Sequence, residues 1–588
     1  MLYRINHGAV KIVFQADPAA AGLLFILRLL QALTPILQTL SVAAFVDRVS
    51  AAAGRMRTGG MRAAGIPDTG ILFLILLLVA LAAFGWISKS AAALLGQHME
   101  MRLRAGFKPR LMEKISRLKY EAMENSALRD QISRVSRNAE GRVREAYESL
   151  LQLLELIVKT MGILAILFTQ VWWLSFLLLA VSIPCFRLSV KSGKADYDAQ
   201  ADMTKITRQN EAYHEMLTGR AYADERTLFG YHRAYRERYL EQYEKARRYA
   251  TGIRLKWFVK MKAGSMAVIL VSAVSLAAML PLTLNGALSA GMFMALMNAI
   301  FGIVQNMSWD LTYGMDRAAW YQNWFRELSE VFALPEDPGL SAAGEETAAE
   351  RKPASFRTLE FQNVSFRYPG TDRDILKNCS FRIQAGKNYA FVGANGAGKT
   401  TIVKLLNGLY QDYEGQILVN GRDIRQTGRD FLSNVFQDFA RYPVSLRENI
   451  TIGRKGPVSE EELWQAVEAA GLAGTAKQLK DGLDTVLGKA EEGSLDLSGG
   501  QWQRIALARC ILSPAEVRIL DEPTASLDPI RENEIYTGFR QMSRGKTVLL
   551  ISHRLASVKL SDHIFVIADG RVAEEGSHAQ LMGKDGLY

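Results

Sequence analysis

The sequence predicts two parts: an α-helical membrane domain with six spans, followed by a soluble α/β domain. Three features of the 588-residue chain support this prediction. The long apolar runs lie before about residue 310, and stretches rich in Lys and Arg separate some of them. After residue 355 the pattern changes to short alternating strands joined by Gly-rich turns.

Each of the six apolar segments is long enough to cross a hydrocarbon core of about 30 Å as a helix. The second contains ILFLILLLVALAAFGW, which is too apolar on all sides for an amphipathic surface helix. In chain order the predicted spans are Ala20–Val46, Ile71–Leu95, Leu150–Phe168, Trp172–Val190, Gly264–Leu284 and Ala287–Asn306.

The connections between spans predict the topology. Short turns without Lys or Arg join spans three and four and spans five and six. Long stretches rich in Lys and Arg join spans two and three and spans four and five, and the positive-inside rule places such stretches in the cytoplasm. We therefore expect a multi-pass protein of the cell membrane with both termini and the soluble domain in the cytoplasm.

The chain has a formal net charge of +11 and a sequence pI near 9.3. Acidic residues are interspersed throughout the basic stretches, so membrane lipid is the expected partner and nucleic acid is not. The three cysteines Cys185, Cys379 and Cys510 are far apart and fit neither a disulfide framework nor a metal-binding spacing.

Three charged residues inside predicted spans, where charge is costly, are candidates for the transport path: Arg28, Glu155 and Lys159. Glu155 and Lys159 are four residues apart, so they share a helix face and can pair with each other. Two interpretations stay open. The pair lines a path through the membrane, or it lies on a helical extension beyond the bilayer.

Composition also divides the chain into domains. Residues 334–355 are rich in Pro, Gly, Ala and Glu and have few large apolar residues, which is typical of a linker. We expect a transmembrane domain over residues 1–333, with six helices and two long cytoplasmic extensions. The soluble domain then covers residues 356–588.

The first functional motif of the soluble domain is a P-loop. It matches G-x-x-x-x-G-K-[ST] in full, follows the apolar strand NYAFVG and precedes a helix predicted over 401–408. We expect its backbone N–H groups to surround the phosphates of ATP, Lys399 to reach the β- and γ-phosphates, and Thr400 to bind Mg²⁺. The motif and its next residue are Gly393, Ala394, Asn395, Gly396, Ala397, Gly398, Lys399, Thr400 and Thr401.

Two further motifs complete the predicted ATPase. The strand Val517–Leu520 ends in two carboxylates, of which Asp521 is expected to bind Mg²⁺ and Glu522 to polarise the attacking water. The run Ser498, Gly499, Gly500, Gln501 precedes a helix predicted near Trp502, and such a helix start binds anions. The P-loop and this helix start are two phosphate sites in one domain. They can serve the same nucleotide if each comes from a different subunit, so we expect a head-to-tail dimer.

Together these motifs resemble the ATP-binding cassette (ABC) family, in particular half-transporters of the exporter type. The resemblance covers essentially the whole chain, with LSGGQ as the family signature. It implies that Tyr368 stacks on adenine, Gln437 reaches Mg²⁺ and His553 contacts the γ-phosphate. It also implies that Ser526–Asp528 crosses the dimer interface. The implied fold is a six-span membrane domain of ABC exporter type followed by an ABC ATPase domain of the P-loop NTPase class.

The resemblance implies an ATP hydrolase coupled to transport, most simply export of a peptide, lipid or drug-like molecule by a dimer with an identical or a related chain. Two alternatives stay open: an importer on the exporter fold, as in some siderophore–metal uptake systems, or an ATP-gated channel or regulator. Two departures from the family pattern stand out. Arg518 interrupts an otherwise apolar strand and is expected to point outward, and the segment Glu491–Asp496 is one residue longer than usual.

Overall fold

A computed structural model describes residues 6–58, 69–306, 310–340, 355–454, 456–488, 495–522, 544–552, 555–584 and 586–588. The chain forms two compact units. The helical unit comprises Met1–Ser116 and Ala127–Leu334, and the sheet unit comprises Arg117–Ser126 and Pro335–Tyr588.

Helices make up the described part of the helical unit. After a π-helical turn at Asn6–Val10, the first six α-helices in chain order are α1 (Lys11–Ala16), α2 (Pro18–Thr58), α3 (Thr69–Ser116), α4 (Tyr120–Glu124, which belongs to the sheet unit), α5 (Ser126–Ser136) and α6 (Ala139–Gln170). They are followed by α7 (Trp172–Thr218), α8 (Ala223–Phe229), α9 (His232–Leu284), α10 (Ala290–Gln305) and α11 (Leu311–Ala333).

The helical unit confirms the predicted six-span architecture. The first five predicted spans lie within α2, α3, α6, α7 and α9, and the sixth corresponds to α10, which begins at Ala290 rather than Ala287. Helices α2, α3 and α6 are long and apolar enough to cross a membrane, and Ile269–Leu284 and Ala290–Ile303 form shorter apolar helices. Several helices run well past their apolar segments, because the flanking sequences keep apolar residues at helical spacing.

The described part of the sheet unit contains two sheets. An antiparallel sheet has the order β2-β1-β4-β5, and a six-stranded sheet has the order β10-β9-β3-β8-β7-β6. Its strands are β1 (Thr358–Arg367), β2 (Asp374–Gln384), β3 (Asn388–Val392), β4 (Glu414–Val419), β5 (Arg422–Asp423), β6 (Leu432–Val435), β7 (Val517–Asp521), β8 (Thr547–Ile551), β9 (His563–Ala568) and β10 (Arg571–Gly576). Its remaining helices are α12 (Lys399–Leu406), α13 (Leu446–Thr451), α14 (Glu460–Ala469), α15 (Ala473–Gln478), α16 (Gly499–Leu512), α17 (Leu555–Val558) and α18 (His578–Met582).

Strand direction determines where chemistry can occur in this unit. Strands β9, β3, β8, β7 and β6 are parallel to one another, so their carboxyl ends share one edge of the sheet. The P-loop follows β3, and Asp521 ends β7. In open α/β sheets this edge is where ligands bind.

Two large hydrophobic clusters stabilise the sheet unit, and a smaller one packs around Ile564 and Leu581. One joins the two sheets and α12 through side chains such as Phe361, Phe391 and Ile402. The other packs α13, α14 and α16 against the far side of the six-stranded sheet, with Trp502 fully buried at its centre. Cys379 and Cys510 are buried free thiols, and the described residues contain no group of His, Cys, Asp or Glu arranged to hold a metal by themselves.

The segment Arg117–Ser126 joins the sheet unit although it is flanked by helices of the helical unit. Backbone bonds fix it: Lys119 N donates to Pro335 O at 3.3 Å, and Asp337 N donates to Arg117 O at 2.8 Å. Tyr120 of α4 packs against the hydrophobic core of the sheet unit, where its ring meets Tyr410 edge-on at 5.7 Å.

Candidate functional site

The P-loop curls because three glycines adopt φ values that other residues rarely reach. Gly393, Gly396 and Gly398 have φ of 152°, 80° and 111°. A Cβ on Gly398 would lie 2.7 Å from Leu376 Cδ2, so a side chain there would clash as well as strain the backbone. The helix that follows begins at Lys399, slightly before the predicted start.

Lys399 is folded back onto its own loop. Its Nζ donates to Gly393 O at 2.8 Å and to Ala394 O at 3.0 Å, and the residue is only 6% exposed. Burial lowers the pKa of Lys399, while the nearby carboxylates Glu522 and Asp521 act in the opposite direction. The ammonium thus already lies at the phosphate-binding loop.

The two predicted carboxylates lie together at the end of β7. Asp521 is buried, and burial together with the charge of Glu522 raises its pKa to about 6, against the lowering effects of Thr400 and Lys399. Glu522 has a φ of 48°, which is rare for a residue other than glycine. Its backbone N donates to Ile551 O on the neighbouring strand at 3.0 Å, which fixes this conformation.

Gln437 follows the end of β6 and reaches the same place. Its Nε2 donates to Glu522 Oε2 at 3.0 Å. A further contact comes from Gln503 on α16, whose Nε2 donates to Glu522 O at 3.4 Å. Sequence reasoning missed Gln503, and its only signal was a glutamine on the apolar face of the helix after LSGGQ.

The donor set of this site fits Mg²⁺. A hydroxyl from Thr400, the buried carboxylate of Asp521 and the amide oxygen of Gln437 are the hard oxygen ligands that this ion prefers. Burial is the main cause of the raised pKa of Asp521, and the adjacent charge of Glu522 adds to it. A divalent cation bound beside Asp521 would stabilise its ionised form.

The signature residues form the start of α16. The helix begins at Gly499, so the prediction of a start near Trp502 was wrong by about one turn. Ser498 and Gln501 close a capping box, with Gln501 N donating to Ser498 Oγ at 3.3 Å and Ser498 N donating to Gln501 Oε1 at 2.9 Å. The reciprocal bonds arise because serine and glutamine occupy the N-cap and N3 positions. Gly500, the second residue of α16, lies between them without a side chain.

Tyr368 lies beside the start of α12. Its hydroxyl is 3.0 Å from Thr401 Oγ1, and its ring meets Tyr410 edge-on at 5.3 Å. Lys404 Nζ lies 5.2 Å from the centre of the Tyr368 ring and 3.1 Å from Glu124 Oε1 on α4. The predicted adenine-binding tyrosine is thus packed against the P-loop helix and held by a cation.

A cavity of about 320 Å³ lies next to the first half of the P-loop. Its wall includes the P-loop residues 393–397, the carboxylate residues Asp374 and Asp569, and Gly570 of the β9–β10 turn. Some predicted residues lie outside the described part of the chain: His553, Ser526–Asp528 and the segment 491–494.

Arg518 corrects the sequence prediction. Strand β7 lies between β8 and β6, all five of its residues are buried, and Arg518 is 3% exposed rather than pointing outward. Its Nη2 donates to Ile511 O at 2.9 Å. Since Ile511 is in the last turn of α16, the guanidinium caps the carboxyl end of the signature helix.

The charged residues in the membrane spans also differ from the prediction. Glu155 pairs with Arg28 rather than with Lys159, at 3.1 Å between Oε2 and Nη1. Lys159 Nζ donates to Asn306 Oδ1 at 3.2 Å instead. Each partner lies on another helix, which a pattern within one helix could not reveal. Two further charged residues inside predicted spans were overlooked in the sequence: Lys89 on α3 and Arg187 on α7, both of which are exposed.

Comparison with known proteins defines the class. The family model described as "ABC transporter" matches residues 376–525. The subtilin transport ATP-binding protein of Bacillus subtilis is 29% identical over 83% of this chain and 80% of its own length. An ATP-dependent lipid A-core flippase of Thiobacillus denitrificans is 29% identical over 88% of this chain and 87% of its own. A bacterial Atm1-family ABC exporter structure with ATP bound has the same fold, with a TM-score of 0.71, 22% identity, and coverage of 100% of this chain and 97% of that chain.

The fold and the site define a membrane protein with a fused P-loop ATPase. The chain carries an ABC transporter domain at residues 376–525, and it has the architecture of an exporter-type half-transporter. It is therefore an ATP hydrolase coupled to transport. Half-transporters of this kind normally act as dimers.

Proposed function

We propose that the chain is one half of a dimeric exporter that moves a peptide, a lipid or a drug-like molecule across the cell membrane. In this arrangement six spans cross the bilayer, and the termini and the ATPase lie in the cytoplasm. Each ATP is held between the P-loop of one chain and the signature loop of the other. All the ATPase motifs are present in this chain, so an identical chain can act as the second half. The alternative is a related chain whose motifs are degenerate.

We assign roles in ATP binding to the P-loop, Tyr368 and the signature loop. The P-loop N–H groups and Lys399 bind the phosphates, Thr401 adds a hydroxyl, and Tyr368 stacks on adenine. Ser498 and the glycines after it present the amino end of α16 to the γ-phosphate of the nucleotide on the other chain. We assign Thr400, Asp521 and Gln437 to Mg²⁺, which would neutralise charge on the phosphate oxygens when bound.

We assign the hydrolytic step to Glu522, with His553 as the residue that contacts the γ-phosphate. The Glu522 carboxylate accepts a hydrogen bond from Gln437 at 3.0 Å, so its orientation is set before a water arrives. From that position it can accept a proton from the attacking water, and Lys399 stabilises the charge that develops on the phosphate. This contact between Gln437 and Glu522, next to an intact P-loop, is the observation that carries the proposal.

Sealed vesicles containing the purified protein give the test. ATP added on the side of the sheet unit should drive accumulation of substrate inside inverted vesicles, against its gradient. Accumulation only in vesicles of the opposite orientation, with the sheet unit and ATP inside, would favour the importer. Equilibration of substrate without accumulation would favour an ATP-gated channel. ATP hydrolysis is measured in the same vesicles, so that an inactive preparation is recognised.

A further inference from the structure

Two hydrogen-bonded groups of polar residues lie about one helical turn apart along α6, inside the predicted membrane region of the helical unit. Arg28 and Gln31 come from α2, Glu155 and Lys159 come from α6, and Asn306 directly follows α10. We call these residues the polar cluster. At 1.5 Å per residue, Lys159 lies about 17 Å and Glu155 about 23 Å from the end of α6, within a hydrocarbon core of about 30 Å.

Hydrogen bonds within the cluster use the oxygen atoms of its members. Arg28 Nη1 donates to Glu155 Oε2 and to Gln31 Oε1, both at 3.1 Å. Lys159 Nζ donates to Asn306 Oδ1 at 3.2 Å. Because a cation occupies each amide oxygen, the orientation of both amides is fixed and their NH₂ groups point elsewhere.

Several N–H groups of the cluster are left over. Arg28 Nε, Gln31 Nε2 and Asn306 Nδ2 are buried and have no hydrogen-bond partner among the residues that the structure describes. Gln31 is 7% exposed and Asn306 is 3% exposed. With two cations and one carboxylate, the cluster also carries a net positive charge. The unsatisfied groups are all donors, and the one carboxylate of the cluster already accepts from Arg28, so the cluster has more donors than acceptors.

Leaving such groups unpaired in a membrane is expensive, because each buried donor without a partner costs about 1–3 kcal/mol and no bulk water reaches the hydrocarbon core. A purely apolar substrate would not remove that cost. A phosphate or carboxylate would accept several of these bonds and balance the excess charge. The rest of the ligand must be apolar, since the cluster lies at the depth of the acyl chains.

We propose that the polar cluster is the recognition site for the anionic group, phosphate or carboxylate, of an amphipathic substrate. This inference rests on the proposed transport function, because it names the chemistry of the transported molecule. Binding can be measured without ATP, so a failure of the cluster to bind is distinguishable from a failure of transport or hydrolysis.

The test uses two probes that differ only in their head: lysophosphatidic acid and the uncharged monoacylglycerol with the same acyl chain. Both are titrated onto the full-length protein in nanodiscs of a zwitterionic lipid. The phosphate probe should bind about tenfold more tightly, which is the effect of one charged hydrogen bond. Equal affinities would overturn the proposal. Inorganic phosphate is the third probe. If it displaces lysophosphatidic acid completely at equal concentration, the site binds free anions, and the proposal that the substrate is amphipathic is overturned.

Two nearly isosteric variants locate the binding. Asn306→Asp and Gln31→Glu keep the oxygen that accepts from Lys159 or Arg28 but replace the unpaired donor by an anionic oxygen. Each should abolish the preference for the phosphate probe while monoacylglycerol binding is retained. Lys89→Met, which removes an exposed charge on α3, is the matched control and should keep the preference. Size-exclusion profiles verify folding, and a preference that survives in both cluster variants would place the site elsewhere.

Discussion

The two helix starts that we propose as phosphate sites, at α12 and at α16, differ in their local structure. The start of α12 is preceded by a loop with three glycines at positive φ and contains Lys399, whose ammonium is bound to that loop. The start of α16 is closed by the capping box between Ser498 and Gln501. The first start thus has a cation of its own, and the second has a capped helix end. This difference fits our proposal that the P-loop binds the nucleotide of its own chain and that the signature loop meets the nucleotide of the other chain.

The far ends of these helices differ as well. Lys404, in the last turn of α12, lies over the rings of Tyr120, Tyr368 and Tyr410 and pairs with Glu124. The last turn of α16 is capped from β7 by Arg518, three residues before Asp521. The P-loop helix is therefore connected to the inserted segment Arg117–Ser126, whereas the signature helix is connected to the strand of the acidic pair.

The largest effect is expected at the acidic pair that both helices approach. Glu522→Gln keeps the shape of the side chain but removes its charge, so ATP turnover should fall by about 10²-fold or more. ATP binding should persist. Steady-state phosphate release and binding of a fluorescent ATP analogue are measured on the full-length protein.

Glu468→Gln is the matched control, because Glu468 is exposed on α14 and undergoes the same chemical change. Its turnover should equal that of the unmodified protein. Near-normal turnover of Glu522→Gln in a homodimer would remove Glu522 from the hydrolytic role.

Ser498→Arg tests whether the start of α16 serves another chain. A bulky side chain there blocks docking of a phosphate, so turnover should fall by about tenfold to a hundredfold. ATP binding at the P-loop of the same chain should remain. If binding is lost together with turnover, Ser498 belongs to the site of its own chain and the head-to-tail arrangement is incorrect.

Ser459→Arg separates this effect from the loss of a helix cap. Ser459 forms the same kind of capping box, with Glu462, at the start of α14. Its substitution removes an equivalent cap without approaching the nucleotide. ATP turnover should therefore fall in Ser498→Arg and stay unchanged in Ser459→Arg.

Arg518→Ala tests the connection between β7 and α16. The variant leaves a cavity and a buried Ile511 carbonyl without its donor, so the local free energy of opening of α16 should fall by about 2–4 kcal/mol. Hydrogen exchange of the peptide Gly499–Leu512 measures this change. Arg422→Ala, at an exposed position of β5, should leave the exchange unchanged. Equal exchange in both variants would show that Arg518 does not stabilise the signature helix.

The smallest effect is expected for Lys404→Met. Removing the cation weakens contacts worth about 0.5–1 kcal/mol at the tyrosine rings, so the affinity for ATP should change about two- to fivefold as Tyr368 loses its support. Lys404→Arg retains a cation and should restore the original affinity. An unchanged affinity in Lys404→Met would show that Lys404 does not position Tyr368.

Local sequence patterns predicted much of the architecture. The apolar runs marked the membrane helices, because a hydrocarbon core admits only long apolar helices. The P-loop could be identified because its glycines are required by backbone geometry at adjacent positions. Gln437 was implied by resemblance alone, and the parallel strand order explains why it meets Glu522, about 85 residues away.

Contacts between distant segments could not be predicted in this way. The spacing of Glu155 and Lys159 suggested a pair, but each residue has its partner on another helix. Arg518 looked like a surface residue because nothing near it in the chain shows that β7 is an interior strand. Gln503 showed no sign of its contact with Glu522, since that contact depends on how α16 packs on the sheet.

By itself, the sequence determined the order of the membrane and ATPase parts, the helices that cross the bilayer and the residue types of the phosphate site. These properties depend on hydrophobicity and on backbone conformation over a few neighbouring residues. The tertiary structure decided which polar groups are paired, including the unpaired donors of the polar cluster and the cap that Arg518 forms on α16. A buried polar group is stabilised by whichever partner the packing brings within about 3 Å, and that partner can lie anywhere along the chain.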